Sequence, residues 1–259
     1  MKSHNDYWQA RLQRNIFDKQ NKKLNQRLKK VYLRANKTIA NELTALYEKM
    51  ATEGEISANM LYRENRYRGL QQKINKVVQG IGKTEEKIVT NSLFTSYKQV
   101  YQQTMQGLGV TPSWTILNEN MAKQIVNANF KGANFSERIW NNKSKLREHI
   151  EKGVIDSVIS GQSKDKAVRE IKRSFGVGFN DADRIVRTET QRVLNDGQRQ
   201  TYKDRGYSQV EWLVADDERL CDECMEIDGV IFNIDEVPAV LHPRCRCTFI
   251  PILNEDLFK

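Results

Sequence analysis

Leu24, Leu28, Val31, Ala35, Ile39, Leu43, Leu46 and Met50 recur every three or four positions, the period at which side chains share one helix face. The pattern reaches back toward Trp8, Leu12 and Ile16, so a long amphipathic helix is expected before a break at Gly54. A second helix is expected from about Ser57 to Val78, ended by Gly80 and Gly82. A third begins at Thr84, whose hydroxyl can cap free amides while Glu85 and Glu86 suit the positive end of the dipole. It ends near Gly107 and Gly109. Thr111-Pro112-Ser113 reads as a connection, and helical patterning returns over Leu117 to Asn127. Ser136 reads as the N-cap of a helix through Trp140, Leu146, Ile150 and Val154 to Ile159, stopped by Gly161. A shorter helix, Ser163 to Phe175, is closed by Gly176 and Gly178. Asn180 caps the last, which carries Ile185, Val186, Val193 and Leu194 and ends near Gly206.

Beyond Gly206 the period changes. Val210 to Val214, Val230 to Phe232 and Thr248 to Ile250 read as three short strands, set off by Gly229, Pro243 and Pro251. The expected fold is mainly α: a long helical N-terminal region, then a helical and small α+β C-terminal module with a zinc-binding finger. The expected division is a basic helical region at 1–140 and a second domain at 141–259, with the finger at 209–252. Only 14 glycines and 4 prolines in 259 residues agree with long helices rather than many tight turns. No apolar run is long enough to span a bilayer and the N-terminus has no signal-peptide core, so no membrane partner and a cytoplasmic site of synthesis are expected.

Charge is distributed unevenly. Residues 1–50 hold twelve Lys or Arg against four Asp or Glu and so supply most of the net +9. Arg11, Arg14, Lys19, Lys22, Lys23, Arg27, Lys29, Lys30, Arg34 and Lys37 fall in one stretch opposed only by Asp18. Such a face suits an acidic protein surface or the phosphates of double-stranded DNA bound without sequence preference, and a solvated helix face is the plain alternative.

All four cysteines lie near the C-terminus: Cys221 and Cys224 as C-x2-C, then Cys245 and Cys247 just after His242. Five donors within 27 residues favour one structural zinc, because thiolate and imidazole together select zinc over harder cations. Cys221 and Cys224 are the surest ligands. Two of His242, Cys245 and Cys247 complete the set, with His242 and Cys247 the first choice. Disulfides, inert core thiols and an iron–sulfur cluster are the alternatives. A catalytic zinc would keep an open position for water, whereas here a closed set of four is available.

Ile185-Val186-Arg187-Thr188-Glu189-Thr190, Asn195, Gly197 and Trp212 are followed by Asp217-Glu218-Arg219-Leu220-Cys221, Cys224 and Ile227-Asp228-Gly229. His242-Pro243-Arg244-Cys245-Arg246-Cys247 completes the series. In this order, from about Lys145 to Ile252, the sequence resembles the Mu-F-like phage head morphogenesis family of minor head proteins. The resemblance implies a structural, portal-associated protein inside the capsid, assembled in the host cytoplasm. Scaffold or major capsid protein would be further partners, with roles in procapsid assembly and in genome packaging or ejection. Some relatives carry fused enzyme domains such as ADP-ribosyltransferases, and no such appendage is expected here. Arg187 or Glu189 is expected to support the finger through hydrogen bonds. No catalytic residues are assigned, and the protein is expected not to be an enzyme. The alternatives are a zinc-containing nucleic-acid-binding protein, although acidic residues dominate from Asp216 to Asp235, and a zinc-dependent nuclease, although only three histidines are present.

Overall fold

The computed structural model describes residues 4–54, 56–110, 119–215 and 221–252, with side chains described for these residues except 4–13 and 64. Four helices dominate: α1 (His4–Thr52), α3 (Arg66–Gly107), α5 (Phe135–Ile159) and α6 (Lys164–Asp204). Short helices α2 (Ala58–Tyr62), α4 (Glu119–Asn127) and α7 (Asp222–Met225), a 3-10 turn at Arg63–Asn65, and strands β1 (Gln209–Leu213), β2 (Ile231–Asn233) and β3 (Thr248–Pro251) complete the described elements. The protein is mainly α with a small antiparallel sheet ordered β2-β1-β3, as the sequence indicated. Val210 pairs with Phe232 and Trp212 with Phe249.

Several glycines expected to end helices lie inside them. α3 runs through Gly80 and Gly82, and α6 through Gly176, Gly178 and Asn180. At Gly82 an added Cβ would stand 2.7 Å from the Trp140 ring, and at Gly197 2.7 Å from Val100. These glycines let helices approach closely, and the backbone stays helical because packing outweighs their weak propensity. Thr84, expected as a cap, instead bonds back to the Gly80 carbonyl within α3. The cap of α5 is Asn134 rather than Ser136, in a capping box with Glu137. Gly54, Gly109, Gly161 and Gly206 do mark helix ends, all with positive φ. The connection at Thr111-Pro112-Ser113, like Leu117, lies outside the described residues.

The chain packs into two compact units, neither of them continuous in sequence. One comprises Met1–Leu24, Val89–Gly132 and Arg184–Lys259; the other comprises Asn25–Ile88 and Ala133–Asp183. The boundary expected near residue 140 falls within α5. In the second unit, Leu28, Ile39, Leu43 and Met50 of α1 are buried, as are Ile74, Ile139, Ile150 and Val154. Its core also holds charge. Lys143 Nζ lies 2.8 Å from Glu85 Oε2, both side chains almost wholly buried. The Tyr32 hydroxyl donates to the same carboxylate oxygen at 2.8 Å and accepts from Lys143. Burial and the neighbouring Glu85 charge push the Tyr32 phenol well above its ordinary value, so it remains a donor.

Candidate metal centre

In the first unit the three strands and α7 enclose a small core of Tyr202, Val210, Trp212, Cys224, Ile234, Val237, Val240, Cys245, Cys247 and Phe249. C-x2-C works here because α7 is a single turn: Cys221 is its N-cap residue and Cys224 lies within it, so both thiols face one side. His242 and Cys245 are brought round by a tight turn in which the Cys245 amide bonds the His242 carbonyl. Arg244 at that turn has φ 66°, a left-handed conformation that costs a non-glycine residue roughly 1 kcal/mol. Its amide is held at 3.0 Å by Thr188 Oγ1.

All five expected donors converge. Cys221 Sγ and Cys224 Sγ lie 3.0 and 3.2 Å from His242 Nε2, and Cys224 Sγ is 3.7 Å from Cys245 Sγ. Cys221, Cys224 and His242 form one triad able to hold an ion, and Cys224, Cys245 and Cys247 form another. Cys224 belongs to both. Around a tetrahedral zinc two sulfurs stand about 3.8 Å apart and a sulfur and nitrogen about 3.5 Å, given bonds near 2.3 and 2.05 Å. The sulfur pair already matches, and the histidine contacts would open by a few tenths of an ångström.

The imidazole is oriented for ligation. His242 Nδ1 lies 2.9 Å from the Pro243 carbonyl, which can only accept, so Nδ1 carries the proton and Nε2 turns its lone pair to the thiols. Among the thiols, a hydrogen bond from Cys247 draws Cys245 down to about 5. The same bond keeps the proton on Cys247 and pushes it far above its ordinary value. Burial raises Cys224, a cost that a bound cation would reverse.

The module is held by a row of side chains on α6. α6 presents Thr188, Gln191, Asn195 and Gln198, spaced three or four apart, and all are buried. Gln191 and Asn195 donate to the Cys247 carbonyl at 3.2 and 2.9 Å, and Asn195 also to the Ala239 carbonyl. Gln198 donates to the Phe249 carbonyl at 3.2 Å while its oxygen accepts from Thr248. Arg199 reaches the Val237 carbonyl. Support was expected from Arg187 or Glu189. Between these two positions, Thr188 bonds the module at the Arg244 amide, and Glu189 pairs with buried Arg192 at 2.7 Å. Arg192 in turn donates to the Ile125 and Val126 carbonyls that end α4. The regular spacing of buried amides was the available signal, but nothing in one sequence separates it from a solvated stripe.

Of the ten basic residues singled out on α1, nine are exposed: Arg14, Lys19, Lys22, Lys23, Arg27, Lys29, Lys30, Arg34 and Lys37. The Arg11 side chain lies outside the described residues, as does the segment Asp217 to Leu220.

The fold and the cluster define a class, a largely helical protein whose small Cys/His module is keyed onto one long helix. Residues 148–250 match the family model of Phage Mu protein F like protein, which bears out the family resemblance over this segment. That segment contains the polar stripe of α6 and all five donors. The chain is also 24% identical over 168 residues to an Enterococcus faecalis protein named NAD(+)--arginine ADP-ribosyltransferase EFV. The match takes 58% of this chain and 34% of that protein, so the chain spans about a third of the length of the curated relative it matches. No solved structure matches. No described helix is long and apolar enough to cross a membrane.

Proposed function

We propose that the protein is a minor head protein of a tailed phage, acting within the assembling capsid and remaining in the virion. It binds the portal protein and takes part in procapsid assembly and in genome packaging or ejection, without catalysing a reaction. The observation that carries this reading is the Phage Mu protein F like match at 148–250, which coincides with the helix-keyed module. A long helical body with a metal-stapled head suits an interaction scaffold. Scaffold and major capsid protein are secondary partners. The nine exposed bases of α1 provide a DNA-binding face whose affinity would fall steeply with salt.

One zinc per chain is held by Cys221, Cys224, His242 and Cys245. Cys245, 3.7 Å from Cys224, is taken as the fourth ligand, with Cys247, which groups with both, supporting it by hydrogen bonding. The ion contributes folding energy to a module too small to close on its own core.

Co-expression with the portal protein of the same phage should give a complex that survives size exclusion at moderate salt. Its absence, together with NAD(+)-dependent modification of arginine by the purified chain, would overturn the reading in favour of the activity named for the Enterococcus relative. Purified protein should carry about one equivalent of zinc, lost in Cys245→Ser and retained in Cys247→Ser; the reverse pattern would reassign the fourth ligand.

A further inference from the structure

We propose that the acidic, apolar turn of the Cys/His module docks on the basic face of α1 in a second copy of this chain, forming a head-to-tail contact. Within Asp222 to Ile231, Met225, Val230 and Ile231 are exposed at 55%, 39% and 55%. Exposed Asp222, Glu223, Glu226 and Asp228 surround them, and this stretch holds no Lys or Arg. Ile231 also begins β2, an edge strand of the sheet, whose outer edge is paired with no other strand among the described residues.

The complementary surface is on α1. Leu33 is 55% exposed, and Lys29, Lys30 and Lys37 stand three or four residues from it on the same helix face, all exposed. An apolar centre ringed by lysines therefore matches an apolar turn ringed by carboxylates. Opposite rim charges steer encounter and fix orientation, and apolar burial at the centre provides the binding energy. Two module turns meeting each other would set carboxylates against carboxylates, which disfavours a symmetric dimer through this patch. A contact between two different patches either closes reciprocally between two copies or leaves one of each free and proceeds further. This contact needs neither portal nor DNA and goes beyond the function proposed above.

Sedimentation velocity of the purified, metal-loaded full chain tests it. Self-association is expected, with a Kd on the order of 10 µM, weakened at least tenfold on raising salt to about 0.5 M because the rim pairs are solvent-exposed. Ile231→Glu and Lys30→Glu should each weaken it at least tenfold with metal content and helical ellipticity unchanged. Combining Lys30→Glu with Glu226→Lys should recover part of the loss. A chain that stays monomeric up to roughly 100 µM, ten times that Kd, overturns the proposal. So does association indifferent to Ile231→Glu and Lys30→Glu. Loss of the portal complex with these results intact would remove the head-protein reading and leave this contact standing.

Discussion

The Cys/His module and the helical unit of residues 25–88 and 133–183 are stabilised through opposite parts of the chain. In the module, strands of three to five residues leave carbonyls at Val237, Ala239, Cys247 and Phe249 for α6 to satisfy, and its side chains do so. In the helical unit the backbone satisfies itself within each helix, so specificity rests on side chains: apolar stripes, and a buried Lys143–Glu85–Tyr32 cluster. Buried main chain must be paired whatever the sequence. Short strands therefore need an external partner, while long helices can spend their buried polar groups on fixing register.

The largest test of this contrast is metal removal. Chelation should open residues 209–252 to protease while most of the helical ellipticity survives, because the binding energy of a structural zinc is folding energy for so small a module. Uniform loss of all structure would show that the two parts do not separate. In the helical unit, Glu85→Ala should cost about 3–5 kcal/mol, since it strands Lys143 uncompensated. Glu85→Leu with Lys143→Met should recover most of that, as read by urea denaturation; equal losses in single and double variants would deny the coupling.

Smaller effects lie along α6. Asn195→Ala leaves the Cys247 and Ala239 carbonyls short of a donor and should cost about 1–3 kcal/mol, with faster hydrogen exchange confined to the module. Gly197→Ala forces a methyl against Val100 and Tyr97 and should cost about 1–3 kcal/mol by overpacking. A thermal midpoint unchanged in Gly197→Ala would show that the two helices separate freely. The smallest effect is alkaline. Burial pushes Tyr97 from 10.0 up to about 12, so the folded protein holds this proton more tightly than the unfolded chain. Stability present below pH 10 is therefore lost as pH rises through about 12. Tyr97→Phe should flatten that decline in the denaturation midpoint.

Much of this was legible in the sequence. The α1 face through Leu28, Ile39 and Met50, the three strands beyond Gly206 and the convergence of five soft donors followed from period and spacing, because these are local properties of the chain. Helix ends at Gly82 and Gly178 were misread. A glycine weakens a helix locally, but whether it breaks one depends on what packs there, and Trp140 lies 58 residues from Gly82. Glu85, expected as a dipole-facing residue at a helix start, is instead buried against Lys143.

Which residues can form helices and which can hold a soft metal is readable along the chain, since periodicity and donor chemistry are written in neighbouring positions. That Thr188, Gln191, Asn195 and Gln198 face the module's main chain, and that Cys245 stands 3.7 Å from Cys224, came from the folded arrangement alone. Both depend on β3 and the turn at Arg244 lying against a helix about fifty residues earlier. Contacts at that range leave no period in the chain, because either partner alone is compatible with a solvated surface.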